Sequence, residues 1–399
     1  MDLTDFSATR ALFDLPEGIV YLDGNSLGPV PSRALERAEM VIRDEWGGQL
    51  IRAWNTAGWM DQPRRVGDRI ARLIGAPSGS VVAGDTLSIK VYQALAAALD
   101  MRPGRHVVLS DTGNFPTDLY MADGLLRSLG RGHELRTVEP EDVEAAIGDD
   151  LAVLMLTHVD YRTGRMHDMA RLTEKAQAAG AVVIWDLAHT AGAMPVDIAG
   201  CGAEFAVGCT YKYLNGGPGA PAFIYVRPDL VASVRPALSG WLGHEAPFAF
   251  DRDYRPAPDI ERMRVGTPPV IQMSVLEAAL EVFDRVDMNA LRARSIMLSE
   301  LFIHEVEAVC RSLDLASPRD PEQRGSQVSF RFEHGYAVMQ ALIADGVIGD
   351  FRAPDIMRFG FAPLYIGEDD VLHAAHALEA ILLERRWNRP EFHARAAVT

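Results

Sequence analysis

Cysteine is scarce in this chain. Cys201, Cys209 and Cys310 are the only three among 399 residues. An odd number of cysteines without CxxC spacing argues against a disulfide framework and against a zinc site. The sequence therefore predicts no metal centre and a reducing environment such as the cytoplasm.

Long apolar runs are also absent, and no stretch approaches the roughly 20 residues that a membrane-spanning helix needs. The first residues, MDLTDFSATRALFDLPEG, contain acids and no sustained apolar segment, so they resemble neither a secretory signal nor an Arg-rich transit peptide. Both observations predict a cytoplasmic protein without membrane contact.

Basic residues are outnumbered, with 39 Lys and Arg against 55 Asp and Glu and a formal net charge of -16. The average field of such a protein repels a phosphate backbone, so nucleic-acid binding is not expected. A small anion can still bind where a local group of donors outweighs the diffuse negative charge.

Apolar residues are plentiful, at 48% of the chain, which allows a large core. Between residues 60 and 230, short Val/Ile-rich runs alternate with helix-period segments, which is typical of an α/β fold with a mainly parallel sheet. The predicted strands are Ser80 to Ala83, Arg105 to Ser110, Leu151 to His158, Ala181 to Asp186, Phe205 to Gly208 and Pro221 to Val226. The predicted helices between them are Ser88 to Asp100, Pro116 to Leu129, Glu141 to Ile147 and Asp168 to Ala179.

The pattern changes towards helical periodicity after the Gly-Thr-Pro-Pro segment at 266–269. We therefore expect three regions: an N-terminal segment at 1–60 that folds over the cleft or onto the C-terminal domain, a large domain at 61–268, and a small C-terminal α+β domain at 269–399. A single helix, Ser32 to Trp46, is predicted in the first region.

Asp186 ends a strand-like run, and His189 follows three residues later. Ligands of open α/β sheets bind at the carboxyl ends of the strands. An aspartate buried there needs a cationic partner, which a protonated pyridine nitrogen could supply. An ordinary helix N-cap aspartate is the commoner explanation for this residue taken alone.

Lys212 follows the next strand and lies between Tyr211 and Tyr213, just before the glycines 216, 217 and 219. A solvated loop lysine is the usual interpretation. Aromatic neighbours, however, favour a lowered lysine pKa, which imine formation requires, and the glycines let a bulky group approach the backbone. Tyr211 could donate its hydroxyl group to a phosphate or pack in the core.

Together, an Asp-x-x-His at one strand end and a lysine after the next strand resemble the fold-type I, aspartate aminotransferase-like enzymes that use pyridoxal 5'-phosphate. The resemblance implies that Asp186 pairs with the ring nitrogen of the cofactor and that Lys212 binds it as a Schiff base. A helix N-terminus at Leu87 and Ser88 is a candidate anion site, although an ordinary cap explains it equally well. Three further candidates are Phe115 for ring stacking, Asp118 for the polar edge of the cofactor, and Thr157 at a strand tip.

A finer resemblance, to the kynureninases, covers most of the chain. The segments that carry it are YLDGNSLGPVP (21–31), WNTAGW (54–59), NFPTD (114–118), HVDYRTG (158–164), WDLAHTAGAMPVD (185–197), TYKYLNGGPG (210–219), GWLGH (240–244), RVGTPP (264–269) and RFGFAPLY (358–365). The resemblance implies a homodimer with active sites at the subunit interface. The residues it places around the cofactor are Leu87, Ser88, Phe115, Asp118, Thr157, Asp186, His189, Tyr211, Lys212, Trp241 and Thr267, with Trp241 and Thr267 as candidates for donation by the partner subunit.

For the substrate, the resemblance implies that Arg358 holds a carboxylate, with Asn25 and Ser26 nearby and Trp59 in the same site. An arginine suits this role because its planar fork can bind a carboxylate with two hydrogen bonds, although salt bridges are its commoner use. The implied reaction is hydrolysis of L-kynurenine to anthranilate and L-alanine, with Lys212, Tyr211 and Asp186 as catalytic residues. Thr267 and Trp59 stand where animal members place an Asn and a His, so we expect L-kynurenine to be preferred over its 3-hydroxy derivative.

Three alternatives fit the sequence less well. A cysteine desulfurase or selenocysteine lyase of the same fold needs a reactive thiol after the lysine, and Cys310 lies in a helix-period segment that predicts burial. A non-catalytic protein of this fold would be expected to lose Lys212, Asp186 or Arg358, and all three are present. A nicotinamide-binding protein is disfavoured because no GxGxxG follows an early strand.

Overall fold

A computed structural model describes residues 4–395, and its centre is a seven-stranded sheet. Two smaller sheets, of four and two strands, accompany it. In this range the strands are β1 (Val20–Tyr21), β2 (Val81–Ala83), β3 (Val107–Asp111), β4 (Glu134–Val138), β5 (Leu151–Thr157), β6 (Val182–Asp186), β7 (Phe205–Gly208), β8 (Phe223–Val226), β9 (Asp314–Leu315), β10 (Gln327–Arg331), β11 (Val347–Ile348), β12 (Asp350–Arg352) and β13 (Ile356–Gly360).

The large sheet has the order β2-β8-β7-β6-β5-β3-β4, and β8 runs in the direction opposite to the other six strands. The mainly parallel sheet predicted for an α/β fold is thus confirmed. Strands β5 and β6 are buried along their whole length because helices cover both faces of the sheet. The edge strand β4 was not predicted, since its sequence ELRTV is largely polar and its side chains are exposed or half-buried.

Helices cover the sheets. In the described range they are α1 (Phe6–Arg10), α2 (Ser32–Met40), α3 (Ala53–Thr56), α4 (Gln62–Leu73), α5 (Leu87–Asp100), α6 (Pro116–Leu129), α7 (Val143–Ala146), α8 (Met169–Ala178), α9 (Pro228–Val231), α10 (Val270–Ala279), α11 (Met288–Val309), α12 (Gly335–Ala344) and α13 (Glu368–Leu383). The helix predicted from Ser32 to Trp46 is α2 continued by a π-helical segment, Val41–Gly47. Within 4–395 no helix is both long and apolar enough to cross a membrane.

Alternate side chains of the large sheet enter two different cores. One core contains Val108, Val153 and Ile184 and lies beneath α5 and α6. The other contains Leu154 and Trp185 and continues through α4 and α8 into the C-terminal region. This division is what the two-residue period of a strand produces when both faces of a sheet are covered.

The N-terminal segment contacts both halves of the molecule. Strand β1 pairs in parallel with β11 of the C-terminal region. Further along, the backbone N–H of Gly28 donates to the carbonyl of Tyr211 at 2.8 Å. A Cβ atom at Gly28 would lie 2.3 Å from the carbonyl oxygen of Lys212, so only glycine allows the segment to approach this loop so closely.

Candidate active site

Three neighbouring strands end at the same edge of the large sheet. Thr157 and Asp186 are register partners at the carboxyl ends of β5 and β6, and Lys212 follows β7, the next strand in the sheet. Strand order therefore brings together side chains that are distant in sequence, at the edge where open α/β sheets bind ligands.

Lys212 points at His189, with 2.9 Å between Nζ and Nε2. Its ammonium also lies 6.0 Å from the centre of the Phe115 ring and 5.8 Å from that of Tyr211. Burial, followed by the nearby charge of Lys212, holds the pKa of His189 well below its usual range. The imidazole is therefore neutral, so Nε2 can accept a hydrogen bond from Lys212.

Two buried carboxyl groups, Asp186 and Asp118, share the space beside Lys212. Burial raises the pKa of Asp186 to about 6, against the opposing effects of Lys212 and of a 2.9 Å hydrogen bond from the backbone N–H of Ala188. Burial and the charge of Asp186 raise the pKa of Asp118 as well. Oδ2 of Asp118 and Nδ1 of His189 have no hydrogen-bond partner, so the site has polar atoms to spare for a ligand.

This arrangement fits a protonated pyridine ring. Buried charge is stable only when it is paired, and among the described residues Lys212 is the single cation beside the two carboxyl groups. A cationic ring nitrogen would supply a second positive charge to balance them. Phe115, at the start of α6, supplies an aromatic face next to Lys212. Pyridoxal phosphate has both a cationic ring and a flat aromatic surface.

Asn114 was not predicted, yet it connects two of the predicted residues. Its Oδ1 accepts from the hydroxyl of Thr157 at 2.5 Å and from the backbone N–H of Phe115 at 2.7 Å. Its amide nitrogen donates to Ser110 at 2.9 Å. The available signal was its position beside Phe115 in NFPTD, where a buried amide has to find several partners.

Leu87 and Ser88 begin α5, a helix of 14 residues with Thr86 at the N-cap position and no hydrogen bond from the Thr86 side chain to cap it. The preceding residue, Asp85, has a left-handed backbone with φ 55°, and its carbonyl accepts from the N–H of Ala222 at 3.0 Å. Ala222 follows the Lys212 loop, so the start of α5 is fixed to that loop. First-turn N–H groups of a helix are donors for an anion such as a phosphate.

Arg358 is buried on β13 and is held by several acceptors. Its Nε donates to Oδ1 of Asp350 at 2.5 Å, its Nη2 donates to Ser26 at 2.9 Å, and its Nη1 donates to the carbonyl of Tyr161. Arg352 approaches the same aspartate, with 2.9 Å from Nη2 to Oδ2. The sequence predicted Arg358 and Ser26, but Asp350, Arg352 and Tyr161 were missed.

Arg358, Asp350, Arg352 and Ser26 form what we call the Arg358 group. Tyr161 connects this group with Lys212. Its ring meets Phe115 edge-on at 5.2 Å between centroids, and Phe115 in turn lies beside Lys212. Asn25 is fully buried nearby, close to Gly360, and neither polar atom of its side chain has a partner. The buried guanidinium of Arg358 thus lies one aromatic pair away from the amine of Lys212.

Asp23 offers a test of the charge balance in this group. Burial and the charge of Asp350 raise the pKa of Asp23 to about 7, well above its value of 3.8 in an unfolded chain. Folding therefore disfavours ionised Asp23, and stability is lost as the pH rises from 3.8 to about 7. We expect Asp23→Asn to raise the free energy of unfolding at pH 8 by roughly 1–3 kcal/mol, with a gain that narrows towards pH 5. Urea denaturation at both pH values measures this, with the exposed Asp14→Asn as control, and a gain independent of pH would contradict the assignment.

Three predicted residues lie elsewhere on the chain. Trp59 donates to Glu45 at 2.7 Å and meets Trp54 edge-on, in a small cluster of its own. Trp241 is 40% exposed and packs against Phe248. Thr267 is exposed and lines a small cavity with Asp85 and Lys90. A single chain does not bring these three into the group around Lys212.

Cys310 is buried at the end of α11, and burial raises the pKa of its thiol to about 11. A thiol of this kind stays protonated and is a poor nucleophile. In the part of the chain that the structure describes, no cluster of His, Cys, Asp and Glu could hold a metal ion.

Solved structures define the class of this fold. A cysteine desulfurase from Thermococcus onnurineus NA1 superposes with a TM-score of 0.80 at 18% identity, covering 96% of this chain and 99% of its own. A cysteine desulfurase from Escherichia coli gives 0.79 at 21% identity, covering 96% and 100%. A C-DES variant with glycine covalently linked to its PLP cofactor gives 0.79 at 16% identity, covering 93% and 98%. The fold is that of the fold-type I pyridoxal-phosphate-dependent enzymes.

Sequence comparison defines the family within that class. The family model of the kynureninase C-terminal domain matches residues 291–378. A kynureninase of Burkholderia pseudomallei (strain 1106a) is 52% identical over 98% of this chain and 95% of its own length, and one of Pseudomonas fluorescens is 51% identical over the same shares. The chain belongs to the kynureninase family, as its motifs predicted.

Proposed function

We propose that the protein is a pyridoxal-phosphate-dependent kynureninase that hydrolyses L-kynurenine to anthranilate and L-alanine. The observation that carries the proposal is the single site formed by Lys212, His189 and the Asp186–Asp118 pair, with Arg358 one aromatic pair away. Such a site can hold an amino acid by its carboxylate beside a cofactor bound to a lysine. Family membership at 52% identity supports this reaction among those that the fold can support.

Each group has a role suited to its surroundings. Bound pyridoxal phosphate would supply an electron sink for the carbon skeleton of the substrate. Asp186 would keep the ring nitrogen protonated, Asp118 would support its polar edge, and the N–H groups of Leu87 and Ser88 would hold the phosphate. Phe115 would stack on the ring. Thr157, kept in place by Asn114, would face the same ring from the strand tip.

Proton transfer falls to Lys212 and Tyr211. Lys212 would remove the α-proton of the substrate and later return a proton to its carbon framework. Tyr211 is half-buried, and its position beside Cys209, together with burial, raises the pKa of its hydroxyl above the usual value. The phenol therefore stays protonated and is suited to donate once water has added to the ketone. Arg358, with Ser26 and Asn25 beside it, would orient the substrate through its carboxylate.

We further propose a cytoplasmic homodimer with sites at the subunit interface. Large apolar side chains are exposed on the single chain, among them Trp46 (54%), Ile51 (76%) and Phe250 (77%). Val41, Trp46, Trp59 and the two prolines 268 and 269 line an open apolar cavity of about 530 Å³. Exposed apolar patches of this kind are typical of protein interfaces. A second subunit would also account for the positions of Trp241 and Thr267 outside the Lys212 group, and sedimentation would test the dimer.

The test of the function is incubation with L-kynurenine and pyridoxal phosphate, followed by quantification of anthranilate and alanine. We expect the two products in equal amounts. Cofactor binding without anthranilate formation would contradict the proposed kynureninase activity but not the proposed cofactor site.

Substrate preference is a separate prediction. We expect a higher kcat/KM for L-kynurenine than for its 3-hydroxy derivative. Thr267 and Trp59 are poorer polar partners for the additional hydroxyl group than the Asn and His of animal members. Parallel assays of both substrates measure the ratio. A clear preference for the hydroxylated substrate would contradict this interpretation of the two positions.

A further inference from the structure

Lys90 is a buried lysine that the chemistry above does not use. It lies in the first turn of α5, with a solvent exposure of 0%. Its ammonium donates to Asp85 at 3.0 Å, to the side-chain oxygen of Gln93 at 3.0 Å and to the carbonyl of Met263 at 3.1 Å. An ammonium has three hydrogens, so every donor is satisfied.

The position of Lys90 is unfavourable unless it serves another purpose. A cation near the N-terminus of a helix opposes the helix dipole, and burying an ammonium carries a large desolvation cost. An apolar residue of similar length would incur neither penalty. Lys90 therefore points to a geometric requirement at the start of α5.

That requirement lies at Asp85. Its left-handed backbone, φ 55°, is uncommon for a residue other than glycine and persists only when its surroundings hold it. Lys90 holds its carboxylate, and the N–H of Ala222 holds its carbonyl. The turn is therefore fixed from two sides immediately before Leu87 and Ser88.

Lys90 also joins a second segment to this turn. The carbonyl of Met263 accepts from Lys90 and, at 3.2 Å, from the amide of Gln93. The chain continues from Met263 to Thr267, which lines one small cavity together with Asp85 and Lys90. One ammonium thus connects the α5 turn to the segment that carries Thr267.

We propose that Lys90 is a positioning residue for the phosphate group of the cofactor: it fixes the Asp85 turn so that the N–H groups of Leu87 and Ser88 face the phosphate. The proposal rests on the proposed function, since it assumes that pyridoxal phosphate is the ligand. Lys90 acts through the turn and touches neither the ring nor the substrate.

Comparing pyridoxal phosphate with pyridoxal, which lacks the phosphate, tests this role. Lys90→Met keeps the length of the side chain and removes its donors, and the half-exposed Lys175→Met is the matched control. Dissociation constants of both ligands are measured by absorbance titration after the bound cofactor has been removed. We expect Lys90→Met to raise the dissociation constant of pyridoxal phosphate about tenfold or more, because a misaligned turn loses hydrogen bonds to a charged group. The dissociation constant of pyridoxal should change by less than about twofold. Lys175→Met should change neither.

Equal loss of affinity for both ligands would show a general structural role and overturn the proposal. Unchanged affinity for both ligands would also overturn it. If Lys90→Met does not fold, Asp85→Gly is the variant to test. Glycine accepts the left-handed backbone but removes the carboxylate, so we expect the same selective loss of affinity for pyridoxal phosphate. Failure of the parent protein to bind pyridoxal phosphate would instead reject the proposed function itself. The readout is ligand affinity, so it does not depend on turnover.

Discussion

Replacing Lys212 with alanine should abolish the absorbance of the lysine-bound cofactor and reduce turnover by at least roughly a thousandfold. The change removes the amine that would bind the cofactor and the base that would remove the α-proton. It also removes the cation that faces His189 and counteracts the raised pKa of Asp186. Spectroscopy of the purified variant and an anthranilate assay measure the two effects separately.

The control for this prediction is Lys175→Ala. Lys175 is a half-exposed lysine on α8, and its Nζ lies 3.7 Å from Oε1 of Glu144. It should retain both absorbance and turnover. Retained turnover in Lys212→Ala would mean that another amine carries the chemistry. The other two lysines in the sequence are Lys175 and Lys90, and the ammonium of Lys90 already donates to three acceptors.

Replacing Arg358 with lysine should raise KM for L-kynurenine by roughly 10- to 100-fold, because a lysine keeps the charge but loses the planar fork. The charge is retained because Arg358 is the buried partner of the buried Asp350, whose second partner, Arg352, is more exposed. A variant without a cation at this position would leave that carboxylate with Arg352 alone, so a loss of stability could be mistaken for a loss of binding. Steady-state kinetics, with thermal unfolding measured in parallel, separates the two effects.

Arg171→Lys is the matched control, since Arg171 pairs with Glu144 on the surface at 2.9 Å. It should leave KM and the unfolding temperature unchanged. A fall in kcat at constant KM in Arg358→Lys would place the arginine in the chemical step, against its proposed role in binding the substrate carboxylate.

The centre of the site could be predicted because strand order imposes it. Thr157 and Asp186 end their strands and Lys212 follows the next one. These strands are apolar enough to recognise in sequence, and parallel strands end at one edge of a sheet. Asp350 and Tyr161 could not be predicted in the same way. Asp350 appears as one more acid in an acidic chain, and only the antiparallel pairing of β12 with β13 places it opposite Arg358.

The fold class was predicted and confirmed, whereas several short elements escaped the sequence. The edge strand β4 has a neighbour on one side only, so its polar residues reach solvent and its sequence is like that of a loop. Strands β1 and β11 have two residues each, too few to show any periodicity. The domain boundaries at residues 60 and 268 stay predictions.

The contact of the N-terminal segment with both halves of the molecule affects the order of events during synthesis. Ser26 and Asp350, which are hydrogen-bonded, lie 324 residues apart. A ribosome releases β1 long before its partner β11 exists, and chains of this size commonly fold by domains as they emerge. The large sheet can therefore form early, but the Arg358 group cannot assemble before nearly the whole chain has been made. A nascent chain truncated before β11 should retain a sheet and lack the assembled contacts between Arg358, Asp350 and Ser26.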